Sequence, residues 1–176
     1  FLTELHNLPT LVEQVLALHP TIAAIAQKYS RYNHFFFLGR HCMYPASLEA
    51  ALKLKEISYL NATGIAAGEM KHGPIALIDS EFPVIGLCGN HRTLDKILSN
   101  LTEVKSRGAP VLAFAFENTP DIESVADDVI YLPQCSDELA PIPFSVATQL
   151  FAYYVAKCRG TEIDHPRNLA KSVTVE

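Results

Sequence analysis

The sequence has few basic residues and no long apolar run, and both absences limit what the protein can bind. Its 14 lysines and arginines stand against 19 aspartates and glutamates, which gives a net charge of -5, whereas a nucleic-acid backbone needs a basic face. No apolar run reaches the roughly 18 residues of a membrane-spanning helix. The N-terminal FLTELHNLPTLVEQ also lacks the basic and apolar regions of a secretory signal. We expect no nucleic-acid partner, no membrane partner and a cytoplasmic location.

Paired metal-ligand and disulfide motifs are also missing. The four cysteines, none of them in a C-x-x-C pair, are Cys42, Cys88, Cys135 and Cys158. Their wide spacing in a chain without signs of secretion indicates reduced thiols. Glu69 and His72 are the best candidate metal pair, but no second pair stands at matching spacing. We expect neither a metal site nor a cofactor.

What the sequence does contain is an alternation of strand-like and helix-like apolar segments. With 176 residues, 49% of them hydrophobic, it is long enough for one domain to bury most of its apolar surface. Predicted strands cover residues 34–38, 83–88, 111–116 and 129–132, a fifth can be placed near 75–78, and long helices are predicted at 44–60, 93–107 and 139–158. This alternation predicts an α/β fold, a three-layer α/β/α sandwich with a parallel sheet of about five strands.

Two further segments receive structural interpretations. Residues 8–29 have helical periodicity, and Pro20 should divide them into two packing helices because proline lacks an N–H and clashes with the preceding turn. Asp127 and Asp128, just before the last predicted strand, are interpreted as a solvated turn.

Titratable residues are concentrated in residues 35–74, which are otherwise apolar and small. They are Lys53, Lys55, Glu56, Glu69, Lys71 and His72. On the predicted helix, Lys53 and Glu56 stand at i and i+3, with Cβ atoms roughly 5 to 6 Å apart. By spacing alone, an ordinary surface ion pair is the commoner explanation for such residues. His72 could equally be a plain loop histidine, and Lys171 a solvated charge near the C-terminus.

Two sequence blocks nevertheless resemble a known family. They are LEAALKLKEISYL with AAGEMKHGPIALID, and the terminal DHPRNLAKSVTVE. From about Phe35 onward the chain resembles the carboxyl end of the glutamine:fructose-6-phosphate amidotransferases, also called glucosamine-6-phosphate synthases. The resemblance implies the second of two SIS (sugar isomerase) domains, with a flavodoxin-like fold. Residues 1–30 would form a helical connection and 31–176 the domain and its tail, while the family's glutaminase and first SIS domains are absent from this chain.

The resemblance also implies roles for four residues. Glu56 matches the base that moves a proton from C1 to C2 of the aminated sugar, and Lys53 matches the lysine that assists it. His72 matches the group that opens the sugar ring, which in this family is donated across a dimer interface. Lys171 matches the lysine that contacts the ketose carbonyl or forms an imine with it. The expected partners are therefore a hexose phosphate, a second copy of the chain in a homodimer, and the two missing domains.

These roles agree with the chemistry of the residue types. One carboxylate poised between adjacent carbons can shuttle a proton between them. A lysine amine can activate a carbonyl by imine formation when its pKa is lowered, and an imidazole with a pKa of about 6.5 can exchange protons with sugar oxygens at neutral pH.

Three positions depart from the family pattern and leave the substrate contacts of this region open. A small residue is usual at His41, and a carboxylate and an aromatic are usual near Thr63 and Ile65. Two functions remain: the isomerase part of a synthase, inactive as an isolated fragment, or a non-catalytic SIS module that binds a phosphosugar. The presence of both Glu56 and Lys171 favours the enzyme, since binding a phosphosugar requires neither.

Overall fold

Five parallel strands form the central sheet of the computed structural model, which describes residues 1–169. The strands are β1 (His34–Gly39), β2 (Asn61–Ala66), β3 (Val84–Cys88), β4 (Val111–Phe116) and β5 (Asp128–Leu132). They lie in the order β2-β1-β3-β4-β5, and each neighbouring pair is parallel. This is the strand order of doubly wound flavodoxin-like folds.

Helices cover both faces of the sheet. They are α1 (Leu2–His6), α2 (Leu8–Ala17), α3 (His19–Tyr29), α4 (Met43–Ser58), α5 (Leu94–Lys105), α6 (Ile122–Val125) and α7 (Pro141–Arg159), with 3-10 helices at Ala67–His72, Pro74–Leu77 and His91–Thr93. One apolar core joins α2, α3, α4 and α7 to the sheet, and a second joins α5, α6 and the first 3-10 helix to its other face. The predicted three-layer α/β/α sandwich is confirmed.

The aromatic run of β1 shows why the sheet must be covered twice. Successive side chains of a strand point to opposite faces, so Phe35 and Phe37 enter the core beneath α4 and α7, while Phe36 and Leu38 enter the core beneath α5. All four are at least 95% buried. An apolar run without alternation is therefore what this central strand requires.

The fifth strand was predicted in the wrong place. Residues 75–78 lie mostly in the 3-10 helix Pro74–Leu77, and the fifth strand is β2. β2 is an edge strand that pairs with β1 alone, and only Ala62 of its six residues is buried. An edge strand that is half exposed does not need an apolar run, so its sequence NATGIA carried little strand signal.

Pro20 was expected to divide residues 8–29, and the division is confirmed. α2 ends at Ala17, and Pro20 lies in the first turn of α3, where its missing N–H has no helical partner to lose.

Within residues 1–169, no single helix is long and apolar enough to span a membrane. Only α2 and α3 taken together have the required length and apolar composition, and their axes are bent by 53° where they join. Both helices pack against α7 through buried residues that include Val15 and Ile22.

The interpretation of Asp127 and Asp128 as a solvated turn holds for Asp127, which lies exposed in a bend, and is wrong for Asp128. The Asp127 carboxylate accepts the Val111 backbone N–H at 2.8 Å, and Asp128 is the first residue of β5. Asp128 Oδ2 accepts hydrogen bonds from the Tyr29 hydroxyl at 2.9 Å and from Lys28 Nζ at 2.5 Å. Burial, reinforced by Asp128, raises the pKa of Tyr29. Asp128 therefore holds the end of α3 against the start of β5. Asp127 joins the residue before β5 to the first residue of β4.

Candidate active site

The last turns of α4 carry the two candidate residues Lys53 and Glu56. α4 connects the end of β1 to the start of the parallel strand β2, so it runs back along the sheet and ends at the edge where the strands begin. Tyr59 ends the helix in a left-handed conformation, with φ 60°, and its N–H binds the Lys55 carbonyl. Glu56 therefore lies at the amino edge of the sheet, one helical turn before this cap.

Lys53 and Glu56 form a close ion pair on this helix. Lys53 Nζ lies 2.8 Å from Glu56 Oε2 and 3.7 Å from Glu49 Oε1. The two side chains of the closer pair are 33% and 25% exposed, so the pair remains accessible to solvent. The hydrogen bond to Glu56 raises the pKa of Lys53 above its usual value, against a smaller opposing effect of burial. A lysine whose pKa is raised stays a cation and is poorly suited to be an amine that forms an imine.

The segment that follows α7 crosses the same end of α4. Thr161 Oγ1 donates a hydrogen bond to the Ile57 carbonyl at 2.6 Å. Further along, the Arg167 backbone N–H donates to the Tyr59 hydroxyl at 3.0 Å, and the Arg167 guanidinium lies 4.2 Å from the centre of the Tyr59 ring. Residues 161–167 therefore run along the last turn and the cap of α4, the helix that carries Glu56. Lys171, the fourth predicted site residue, lies outside the described residues.

His72 lies elsewhere in the chain. It ends the 3-10 helix Ala67–His72, which follows β2 and so begins at the carboxyl edge of the sheet. Its Nδ1 is 2.8 Å from Glu69 Oε2, and both side chains are about two-thirds exposed, at 69% and 67%. Of the predicted site residues that the structure describes, Lys53 and Glu56 are brought together and His72 is not.

Two features separate His72 from Glu56 within one chain. The six residues of β2 lie between them, and a strand of that length spans about 20 Å. In addition, α4 packs on one face of the sheet, whereas Ala67 and Met70 of the 3-10 helix are buried in the core of the other face. A salt bridge of 3.2 Å between Lys71 and Glu103 ties this helix to α5.

The three positions that depart from the family pattern lie away from Glu56. His41 has φ 53° at the turn between β1 and α4, a conformation in which a small residue such as glycine avoids strain. It lines a cavity of about 430 Å³ at the carboxyl ends of β1 and β2. Ile65 packs into the α5 core, and Thr63, two residues earlier on β2, points to the same face. The substitutions at Thr63 and Ile65 therefore bear on the His72 face of the sheet.

Sequence reasoning missed Tyr59 and Arg167, which hold the end of the described chain against the site helix. They are 108 residues apart, and neither belongs to a periodic pattern or a local pair. The only local signal was the place of Tyr59 immediately after a helix that ends without glycine, which by itself does not indicate a contact.

The chain thus combines a doubly wound sheet with an ion pair at the end of its first crossover helix, α4. The sequence profile described as "SIS domain" matches residues 28–157, and the chain belongs to the SIS domain family. The domain class implied by the motifs of the sequence is thereby confirmed.

The relatives narrow the comparison further. The chain is 51% identical over 175 residues to the glutamine–fructose-6-phosphate aminotransferase [isomerizing] of Thermus thermophilus, and 49% identical over 176 residues to that of Methanosarcina mazei. These alignments cover 99% and 100% of this chain but only 29% and 28% of the two relatives. The chain therefore spans less than a third of the length of the curated relatives it matches.

Solved structures agree with this comparison. The C-terminal domain of glucosamine-fructose-6-phosphate aminotransferase from Francisella tularensis superimposes with a TM-score of 0.86 at 41% identity, covering 93% of this chain and 46% of that one. Tagatose-6-phosphate ketose/aldose isomerase from Escherichia coli has a TM-score of 0.72 at 23% identity, over 89% of this chain and 46% of that one. The second likeness concerns the fold alone.

Proposed function

We propose that this chain is the isomerase part of a longer protein that converts fructose 6-phosphate and glutamine to glucosamine 6-phosphate and glutamate. The observation that carries the proposal is that the Lys53–Glu56 pair and the segment preceding Lys171 are both located at the C-terminal end of α4. The proposal is also supported by the sequence comparison, because about half of the residues are identical to those of proteins named for this reaction.

In the proposed reaction, Glu56 acts as the proton shuttle. Its carboxylate takes a proton from C1 of the aminated sugar and returns it to C2, so one group serves both adjacent carbons. Lys53, a cation whose pKa is raised further by its hydrogen bond to Glu56, orients the carboxylate. An imine with the ketose carbonyl then falls to Lys171, since its formation needs an uncharged amine and releases water. Ammonia from glutamine would next displace the lysine amine and leave the aminated sugar.

His72 completes the proposed site from a second copy of the chain. The separation of His72 from Glu56 along β2 and across the sheet supports this arrangement, because a histidine that opens the sugar ring must touch the same substrate as the carboxylate. In a two-fold dimer, each copy would then lend its His72 to its partner, giving two equivalent shared sites. The missing parts of the longer protein would supply the glutaminase and the first SIS domain.

The proposal is tested by complementation between two inactive variants of the full-length protein. Glu56→Gln and His72→Ala should each bind fructose 6-phosphate and fail to isomerise it. If they are mixed in equal amounts and allowed to exchange subunits, half of the dimers are mixed, and one of the two sites in each mixed dimer is intact. The mixture should then recover about a quarter of the wild-type turnover.

The matched control is Glu49→Gln, a more exposed carboxylate two turns earlier on the same helix, which should keep normal turnover. Full activity of Glu56→Gln by itself would remove Glu56 from the mechanism. A mixture as inactive as its parents would show that His72 does not complete a partner's site. A module that only binds the sugar phosphate would show no turnover in the wild-type protein.

A further inference from the structure

The 3-10 helix Ala67–His72 is fixed to the domain by one of its three faces. A 3-10 helix has three residues per turn, so side chains at i and i+3 lie directly above one another. Ala67 and Met70 stand at this spacing and are 0% and 1% exposed, in the core beneath α5. Their burial sets the orientation of the short helix about its own axis.

A second face of this helix is turned toward α5. Lys71 Nζ lies 3.2 Å from Glu103 Oε2 on α5. Gly68, three residues before Lys71, lies beside Arg40, because a Cβ atom on Gly68 would be 3.4 Å from Arg40 Nη2. A surface ion pair adds little stability, so the buried face remains the main attachment.

The third face carries Glu69 and His72, and the same geometry aligns them with each other. They stand at i and i+3, and Glu69 Oε2 lies 2.8 Å from His72 Nδ1. This is the only hydrogen bond of the His72 ring within residues 1–169. Both side chains are about two-thirds exposed, so the helical spacing brings them together without any help from burial.

This hydrogen bond decides which ring nitrogen of His72 is basic. An ionised carboxylate can only accept hydrogen bonds, so Nδ1 must carry the proton that it shares with Glu69. In the neutral ring, the lone pair that can take up a proton is then on Nε2. The carboxylate of a Ser-His-Asp triad fixes the tautomer and orientation of its histidine in the same way.

We propose that Glu69 is a positioning residue for His72, which keeps the ring proton on Nδ1 and leaves Nε2 to act on the sugar ring. This inference rests on the proposed function, which gives His72 the opening of that ring. Nε2 takes the proton of the C2 hydroxyl of cyclic fructose 6-phosphate, the bond between C2 and the ring oxygen breaks as the C2 carbonyl forms, and Nε2 returns the proton to the ring oxygen. A neutral ring with its proton on Nε2 could not begin this sequence.

The decisive variants are Glu69→Ala and Glu69→Gln in the full-length protein. Glu69 is exposed, so both variants should fold. Glutamine keeps the size of the side chain, but its amide can accept from or donate to Nδ1 and so no longer fixes the tautomer. We expect kcat to fall on the order of tenfold in both, with the KM for fructose 6-phosphate changed by no more than about threefold, because proton transfer is impaired rather than binding. Glu69→Asp keeps a carboxylate and should recover part of the lost kcat.

The tautomer itself can be measured by NMR. In full-length protein made with isotope-labelled histidine, the protonated and unprotonated ring nitrogens give separate signals. The signals of His72 are those that disappear in His72→Ala. Above neutral pH they should place the proton on Nδ1 in the wild type and show a larger share on Nε2 in Glu69→Ala and Glu69→Gln. A merely structural role of Glu69 would not change this ratio.

Glu103→Gln is the control for disturbance of the 3-10 helix. It weakens the ion pair with Lys71 and leaves the contact of Glu69 with His72 intact, so kcat should stay within about twofold of wild type. A loss in Glu103→Gln as large as that in Glu69→Ala would show that any loosening of this helix lowers kcat, and the role given to Glu69 would be overturned.

His72→Ala separates the failure of this inference from that of the proposed function. If His72→Ala abolishes turnover while Glu69→Ala and Glu69→Gln match wild type in kcat and tautomer, Glu69 has no positioning role and the proposed function stands. If His72→Ala turns over normally, the role assigned to His72 is wrong and the inference falls with it. Loss of kcat together with the change of tautomer, and partial recovery in Glu69→Asp, would support the inference.

Discussion

Replacing Tyr29 by phenylalanine should destabilise the protein by an amount that shrinks as the pH rises. The Tyr29 ring is 99% buried between α3 and the sheet, and its hydroxyl donates a 2.9 Å hydrogen bond to Asp128. Phenylalanine fills the same space, so Tyr29→Phe removes this hydrogen bond with little change in packing. A hydrogen bond to a charged group contributes about 1.5 to 3 kcal/mol, and Asp128 keeps its ion pair with Lys28. We therefore expect a loss of about 2 kcal/mol at pH 7.

The pH dependence follows from the raised pKa of Tyr29. An unfolded tyrosine releases its proton near pH 10, while the folded protein retains it to a higher pH. Stability that comes from this proton is therefore fully present below about pH 10 and is lost as the pH rises toward the folded pKa. By pH 11 the wild-type protein should have lost about 1.4 kcal/mol through this group, a loss that Tyr29→Phe cannot show.

Urea unfolding at pH 7 and pH 11 measures both quantities. The chain contains no tryptophan, so far-UV circular dichroism is the suitable signal. The difference between wild type and Tyr29→Phe should narrow from about 2 to less than about 1 kcal/mol. The control is Asp128→Asn, in whose background Tyr29→Phe should cost much less, since the two side chains interact directly. An equal difference at both pH values would mean that the folded protein does not hold the Tyr29 proton, and the reasoning would be refuted.

Two further predictions concern the backbone around α4. His41→Gly should raise the free energy of unfolding by about 0.5 to 1 kcal/mol, because His41 has φ 53° and glycine removes that strain. Asn118→Gly, at φ 61°, should raise it by less, since asparagine tolerates this conformation better. A urea midpoint that does not increase in His41→Gly would contradict the strain at this position. Gly64→Ala should cost about 1 to 3 kcal/mol, since its Cβ would lie 2.7 Å from the Leu48 Cα, where α4 packs on β2. An unchanged thermal midpoint for Gly64→Ala would show that α4 can move away at no cost.

The parts of the fold that were predicted correctly are those whose evidence is local. β3 and β4 are apolar runs buried on both faces, so hydrophobicity alone locates them. α7 ends at Arg159 and is capped by Gly160 with φ 67°, and a glycine after a helical pattern is a recognised stop signal in a sequence. β2 was missed because an edge strand shares its hydrogen bonds with one neighbour and needs no continuous apolar run. Its pairing with β1 is a property of the sheet.

In the candidate site, too, only the local relations could be predicted from the sequence. The Lys53–Glu56 pair could be predicted because residues at i and i+3 of a helix are neighbours whatever surrounds them. Their proposed chemistry came from the resemblance to a family, since the spacing alone favours an ordinary ion pair. The contacts of Tyr59 with Arg167, and of Tyr29 with Asp128, join residues about 100 positions apart. No local pattern encodes such pairs.

By itself, the sequence determined the class of fold, the helix that presents Glu56, and the family to which the chain belongs, because periodicity and short motifs act over a few residues. The tertiary structure decided which groups meet. It brings the end of the described chain to the last turn of α4, and it separates His72 from Glu56 by the length of β2 and the thickness of the sheet. These relations depend on the parallel order of the strands and on which face each helix covers, and a linear sequence expresses neither until the chain has folded.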